Sequence, residues 1–147
     1  MTWTNADVLA IAKPRIMAEE SCRLDAYQDS LGIWTIGWGH AHVAPGTVWT
    51  QQQADTTLDA DLFNAIHDLD FHLAWWRDLD VVRAAVLLNM AFNMGVEGLL
   101  RFHNTLTFIQ DGNYAAASGG MLSSKWAKQV GPRATRLARM MKTGEQS

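Results

Sequence analysis

Residues 20–40 read ESCRLDAYQDSLGIWTIGWGH, and they contain the sequence signals for a helix end and for a hairpin. This stretch places the carboxyl group of Glu20 at the end of a predicted helix and that of Asp29 in a predicted turn over residues 29–32. Aromatic and β-branched residues on both sides of the turn predict an antiparallel hairpin, in which Thr35 lies on the returning strand.

Two carboxyl groups that face each other across a groove can cleave a glycosidic bond. One donates a proton to the leaving oxygen, and the other activates a water molecule or attacks the anomeric carbon. Glu20 and Asp29 are candidates for this pair, and the hydroxyl of Thr35 could help to hold the water. An ordinary structural interpretation also stands, with an ion pair between Glu20 and Arg23 and a turn capped by Asp29. Spacing alone leaves both interpretations open.

The flanking sequence is mostly helical in pattern. Residues 7–20 predict a helix that Pro14 either kinks or divides, and residues 24–49 predict a small antiparallel sheet. Thr50 and Gln53 have the spacing of a capping box. They begin a long amphipathic helix, predicted for residues 50–76, which at about 40 Å is long enough to join two lobes.

The second half of the chain predicts a helical lobe. Residues 80–94 are almost wholly apolar, which is typical of a buried helix, and Gly95 is suited to end it. Shorter helices are predicted for residues 104–110, 113–117, 123–128 and 132–142. The fold class is therefore α+β and mostly helical, with one small sheet near the N-terminus.

Composition and charge exclude some classes of function. With 147 residues, 48% of them hydrophobic and 18% charged, the chain has the size and composition of one globular domain. Seven Trp residues suffice either to fill a core or to line a groove for sugar rings, and composition leaves that open. The net charge of −3 divides into +5 over the last 25 residues and −8 over the first 122. Such a basic end indicates an acidic partner and argues against general nucleic-acid binding.

Cysteine content and hydropathy indicate in which cellular compartment the protein can fold. Cys22 is the single cysteine, so no intramolecular disulfide can form. The N-terminus lacks the basic start and apolar core of a signal peptide, and no stretch reaches the roughly 20 apolar residues of a transmembrane helix. We therefore expect neither a signal peptide nor a transmembrane segment.

The segment 20–40 resembles the catalytic signature of the phage-type lysozymes, or endolysins, of glycoside hydrolase family 24, the family of the T-even phage lysozyme. That signature is Glu, eight residues, Asp, five residues, Thr, and then Ile-Gly-x-Gly-His, which Glu20, Asp29, Thr35 and residues 36–40 match. Later segments resemble further motifs of the family in the same order. These are residues 89–95 (NMAFNMG), 124–126 (SKW), 133–136 (RATR) and 142–144 (KTG).

The resemblance implies a lysozyme-like, two-lobed fold in a single catalytic domain, residues 1–147. An N-terminal helix and sheet lobe would cover about residues 13–50, a connecting helix about 50–76, and a helical lobe about 80–147. By the same resemblance Glu20 is the general acid, Asp29 the partner carboxylate, and Thr35 the residue that helps to place the water. The residues expected to contact the sugar chain are His40, which looks like a support near the cleft, Phe92, Asn93 and Thr105.

Two positions depart from the family pattern at the expected sugar contacts. Ala41 stands where the family has Leu, and Gly120 stands where an Asn side chain would bind. We therefore expect the sugar contacts at these two positions to differ from those of the family.

The implied function is that of an endolysin muramidase for bacterial cell lysis. It would hydrolyse the β-1,4 bond between N-acetylmuramic acid and N-acetylglucosamine in peptidoglycan, by single displacement with inversion. Two other functions fit the same scaffold: a non-catalytic wall-binding module, and a lytic transglycosylase that forms 1,6-anhydro ends with one carboxylate.

The implied partners are the glycan strands of peptidoglycan. We expect a monomer without cofactor, held in the host cytoplasm until lysis and then active at the cell wall, with a functional dependence on a holin but no direct binding to it. No metal site is expected, because the spacings of the histidines match no helical i, i+4 ligand pair. The histidines are His40, His42, His67, His72 and His103.

The predicted C-terminal helix carries Arg133, Arg136, Arg139 and Lys142, a basic residue at every third position. Its simplest interpretation is a solvated face on a helix packed against the rest of the lobe. The alternative is attraction to an anionic outer-membrane surface, which would assist attack on intact cells.

Overall fold

A computed structural model describes residues 3–146 of the chain. Within them lie seven α-helices and one antiparallel sheet, which confirms the predicted α+β class. The strands are β1 Arg23–Gln28, β2 Trp34–Gly37 and β3 His40–Ala41, paired in that order. The helices are α1 Asn5–Glu19, α2 Gln51–His72, α3 Val81–Leu100, α4 His103–Gln110, α5 Tyr114–Leu122, α6 Lys125–Val130 and α7 Pro132–Thr143, and a 3-10 helix covers Ala74–Asp78.

The described chain divides into two compact units. One consists of residues 13–64, and the other of residues 3–12 and 65–146. The boundary therefore falls inside α1 and again inside α2.

The unit of residues 13–64 is built around the sheet. Tyr27 of β1 pairs with Thr35 of β2, and the register shifts between Arg23 and Tyr27. The isolated bridge between Asp25 and Val48 brings the chain back beside β1 just before α2 begins. Apolar side chains of the helices and of β2 are buried in this unit: Ile16, Ile36, Ala54, Leu58 and Leu62.

The predicted capping box starts α2. The backbone N–H of Gln53 donates to the Thr50 hydroxyl at 3.1 Å, and the N–H of Thr50 donates to the Gln53 side-chain oxygen at 2.8 Å. The predicted end at residue 76 is wrong, because the α-helix ends at His72. Leu73 leaves helical geometry, with φ −133° and ψ 55°, and the 3-10 helix follows.

The larger unit contains the buried helix α3. Asp80 caps it by accepting a hydrogen bond from the N–H of Arg83, and the residues from Ala84 to Ala91 are all buried. Gly95 interrupts the helix as predicted, with φ 78° and ψ 156°, but helical structure resumes and continues to Leu100. The sequence did not predict this second segment.

The following helices begin near their predicted positions. The clearest error is α5, predicted to end at residue 117 and found to continue to Leu122. Its two glycines, Gly119 and Gly120, do not end the helix, because Met121 beyond them is fully buried. The packing gained there outweighs the low helix propensity of glycine.

The expectation that all four basic residues of the C-terminal helix α7 are solvated is wrong. Arg133 is buried at 7% exposure and Arg136 is half-buried, whereas Arg139 and Lys142 are exposed. The end of α7 is held by Arg83, whose guanidinium donates to the carbonyl oxygens of residues 141 and 142 at 2.6 and 3.0 Å.

None of the helices within residues 3–146 combines the length and the apolar character that crossing a membrane requires.

Candidate active site

Glu20 follows directly after α1, and its N–H donates to the carbonyl of Ile16 at 2.7 Å, so it continues the last helical turn. Its half-buried carboxyl lies against the backbone of Gly39. A Cβ atom at position 39 would stand 2.7 Å from Oε2 and 3.0 Å from Cδ of Glu20, and Gly39 has φ +84°. Both the contact and the backbone angle therefore require glycine at this position.

Asp29 occupies the turn between β1 and β2, as the sequence predicts. One carboxylate oxygen, Oδ1, accepts hydrogen bonds from the N–H groups of Leu31 and Ile33 at 2.8 and 2.9 Å. The backbone N–H of Asp29 also donates to the Ile33 carbonyl at 2.9 Å. These bonds fix the orientation of the carboxylate. Both side-chain hydrogen bonds of the turn end on the same oxygen, Oδ1.

Thr35 lies on β2 and is buried, with 4% of its surface exposed. Its hydroxyl donates to the carbonyl oxygen of Ile33 at 2.9 Å. Because its one proton is engaged in this way, the Thr35 oxygen can act toward a further partner as an acceptor.

Tyr27, the strand partner of Thr35, connects the two carboxyl groups electrostatically. Burial raises the pKa of the Tyr27 phenol, and the negative charges of Glu20 and Asp29 both raise it further, while Arg23 opposes them. Tyr27 is therefore influenced by both carboxyl groups that the sequence predicts as a pair. Their meeting across one groove stays a prediction.

The sequence analysis did not assign Tyr27 or Arg23 to the site. The guanidinium of Arg23 stacks on the Tyr27 ring at 4.5 Å from its centroid. The sequence signal for this contact is the presence of a cationic and an aromatic residue within one predicted strand.

His40 lies on β3 beside these residues and is held in place by side chains of its own unit. Its Nδ1 is 2.7 Å from Oδ2 of Asp61 on α2, and its ring lies 5.6 Å from that of Trp49. These contacts agree with a supporting position, whereas its predicted contact with the sugar stays a prediction.

The other predicted sugar contacts belong to the unit of residues 65–146. Phe92 is half-buried, and Asn93 accepts a hydrogen bond from the indole N–H of Trp126 at 2.8 Å. Thr105 is buried at 6% exposure, and its hydroxyl lies so close to Gly120 that a side chain at position 120 would collide with it. At Gly120, the Thr105 hydroxyl therefore fills the space that a side chain would take.

No group of three or more His, Cys, Asp or Glu side chains within residues 3–146 is arranged to hold a metal ion.

A small α+β fold that presents one carboxyl from a helix end and a second from a hairpin turn defines a candidate glycoside hydrolase. A family model described as Phage lysozyme matches residues 17–142. The chain belongs to this phage lysozyme family and is a glycoside hydrolase of the lysozyme type.

Several named relatives cover most of the chain. Probable T4-type lysozyme 1 of Dictyostelium discoideum is 24% identical over 90% of this chain and 94% of its own length. An endolysin of Acyrthosiphon pisum secondary endosymbiont phage 1 is 31% identical over 74% of this chain and 72% of its own. The pre-baseplate central spike protein Gp5 of Enterobacteria phage T4 is 29% identical over 86% of this chain, but the match spans only 26% of that protein.

The contact between Glu20 and Gly39 yields a testable prediction. Gly39→Ala should lower activity about 100-fold, because the new methyl group displaces the Glu20 carboxyl by an ångström or so. It should also cost about 1–2 kcal/mol of stability through its left-handed backbone. Wall-clearing rates and urea denaturation measure the two effects.

Gly46→Ala is the matched control for this variant. Gly46 has φ +83°, but no atom lies within 4 Å of a Cβ built there. It should lose similar stability and keep its activity. Equal activity in both variants would show that the contact with Glu20 does not matter.

Proposed function

We propose that this chain is an endolysin muramidase, which hydrolyses the β-1,4 bond between N-acetylmuramic acid and N-acetylglucosamine in peptidoglycan. The observation that carries the proposal is that one sheet positions both groups: the Glu20 carboxyl lies against Gly39 between β2 and β3, and two backbone N–H groups hold the Asp29 carboxylate in the turn between β1 and β2. On a chain of the lysozyme family, such a pair of carboxyl groups suits hydrolysis of a glycan strand.

In the proposed mechanism Glu20 is the general acid. Its proton passes to the glycosidic oxygen as the bond from that oxygen to C1 of N-acetylmuramic acid breaks. The N-acetylglucosamine unit leaves with a free 4-hydroxyl group. The close contact with Gly39 holds the Glu20 carboxyl in one place for this transfer.

Asp29 and Thr35 act together on the water in this proposal. The hydroxyl of Thr35 already donates to the Ile33 carbonyl, so toward one proton of the water it acts as a hydrogen-bond acceptor. The other proton points to Asp29, which accepts it as the water oxygen bonds to C1. With both protons directed to the protein, a lone pair of the water is left to attack the carbon.

Attack by water on the face opposite the leaving group inverts the configuration at C1, so a β bond yields an α hydroxyl group. We favour this single displacement because the Asp29 carboxylate is fixed by two backbone N–H groups through Oδ1. A carboxylate held in this way is suited to orienting a water molecule. It is less suited to moving onto C1 and forming a covalent bond with the sugar.

Further proposals follow from the family rather than from the site geometry. The chain acts as one catalytic domain and as a monomer without cofactor, on peptidoglycan and not on nucleic acid, after a holin gives it access from the host cytoplasm to the wall. His40, Phe92, Asn93 and Thr105 contact the sugar chain. Attraction of α7 to an anionic outer-membrane surface would rest on Arg139 and Lys142, the two exposed basic residues of the four predicted.

Glu20→Gln should abolish lysis of chloroform-treated cells, with at least a 1,000-fold loss of rate, since the amide cannot supply the proton. The fold should be retained, as judged by circular dichroism and thermal unfolding. Glu97→Gln, at an exposed position on α3, is the control and should keep full activity. A Glu20→Gln variant that still clears cell walls would refute the assignment, and a wild-type protein that binds walls without cleaving them would indicate a binding module.

The released fragments test the type of reaction. Proton NMR recorded during the first minutes of digestion should show the α anomer of the new reducing end before mutarotation produces the β form. A β anomer as first product would indicate a covalent intermediate on Asp29. Fragments lighter by one water, seen by mass spectrometry as 1,6-anhydro ends, would instead identify a lytic transglycosylase.

A further inference from the structure

A surface groove in the unit of residues 13–64 has no part in the mechanism above. It has a cavity volume of about 390 Å³. This is within the range of roughly 300–1,000 Å³ that is usual for small-molecule sites. The residues that line it are Trp49, Gln52, Gln53, Thr56 and Thr57, and none of them is a proposed catalytic residue.

The polar wall of the groove is one face of α2. Residues 52 and 56, and residues 53 and 57, are each four apart, so the two pairs form adjacent rows on the helix surface. The buried side chains of Ala54 and Leu58 occupy other positions on the same helix. Packing in the core therefore holds this helix in place without using the four side chains that line the groove.

These polar groups are available to a ligand. Within residues 3–146, no hydrogen bond engages the side-chain amide of Gln52 or the hydroxyl groups of Thr56 and Thr57. Gln53 uses its side-chain oxygen for the capping box, which leaves its NH₂ group to donate. An amide and a hydroxyl each both donate and accept, as the neighbouring hydroxyl groups of a sugar do.

Trp49 supplies an aromatic wall that is fixed before any ligand arrives. Its backbone N–H donates to the Leu24 carbonyl at 2.9 Å, beside β1. One edge of the indole packs so closely on Gly37 that a Cβ there would stand 3.0 Å from the ring, and His40 contacts the ring as well. The ring is half-buried, so part of it remains open to the groove.

The Trp49 ring and the polar side chains of α2 together favour one class of ligand. All five lining residues are uncharged, which gives an anionic group such as phosphate no cation to pair with. An immobile aromatic surface with amide and hydroxyl groups beside it suits a neutral ring that has one apolar face and a rim of hydroxyl groups. A pyranose sugar has this form.

We propose that this groove is a second carbohydrate-binding site, which takes an uncharged N-acetylglucosamine-type unit of a glycan strand. Its benefit would be to keep the enzyme on an insoluble polymer while the carboxyl pair acts elsewhere on it, since two linked sites raise the effective concentration of each. That benefit rests on the proposed function, whereas the binding of sugar by the groove does not.

The binding is tested by NMR titration of the Glu20→Gln protein with tri-N-acetylchitotriose. The indole N–H of Trp49 and the side-chain NH₂ groups of Gln52 and Gln53 should shift and saturate together. In a background that also carries Gln52→Ala and Thr56→Ala, the dissociation constant read from Trp49 should rise at least fivefold, because two hydrogen bonds are lost. The matched control, Gln110→Ala with Thr135→Ala, removes an exposed Gln and an exposed Thr from α4 and α7 and should leave the constant unchanged.

A second measurement assigns the role. In an otherwise wild-type chain, Gln52→Ala with Thr56→Ala should reduce co-sedimentation with insoluble peptidoglycan at least threefold and leave kcat on short soluble fragments unchanged. If Trp49 and Gln52 show no saturable shift, or if the double variant binds as tightly as its control, the groove is not a sugar site. If the groove binds sugar but the wild-type protein hydrolyses no glycan, the proposed muramidase function is refuted, whereas the proposed sugar site in the groove is supported.

Discussion

The close contact between the Glu20 carboxyl and the backbone of Gly39 is the constraint on which the site depends. A Cβ atom at position 39 would stand only 2.7 Å from Oε2, and the backbone there has a positive φ that L-residues disfavour. Because Gly39 lies between β2 and β3, the turn that forms the third strand also makes room for the helix-end carboxyl. The conformation of this turn and the position of the acid therefore both depend on glycine at position 39.

The remaining site residues follow from the geometry of a hairpin. Asp29 closes its turn through two backbone hydrogen bonds, and Thr35 is placed opposite Tyr27 by the strand register. Burial of Thr35 and the engagement of its proton by Ile33 leave an oxygen that acts as an acceptor. Each group therefore takes its position from local backbone structure and needs no bound ligand to arrange it.

The sequence predicted this part of the molecule well because its signals are local. The capping box at Thr50, the turn at Asp29 and the interruption at Gly95 each depend on a few neighbouring residues, and each is found where expected. The errors concern properties that packing decides. The sequence pattern did not show that α5 continues through two glycines to Met121, that α2 ends at His72, or that Arg133 is buried. Composition also did not show which Trp residues are buried: Trp76 is fully buried, whereas Trp49 is half-buried and lines the groove beside α2.

The proposal that Glu20 and Asp29 act at one site is tested most directly on Tyr27, whose pKa both carboxylates raise. The chain has two tyrosines, so ¹³Cζ labelling gives two resonances that can be assigned and followed through alkaline titration. The pKa of Tyr27 should fall in Glu20→Gln and, by a smaller amount, in Asp29→Asn, because each variant removes a negative charge that opposes the phenolate. Tyr114, in the unit of residues 65–146, supplies the second resonance as an internal reference. A Tyr27 pKa that is the same in the wild-type protein and in both variants would mean that the carboxyl groups do not meet at this point, and the account of the site would be wrong.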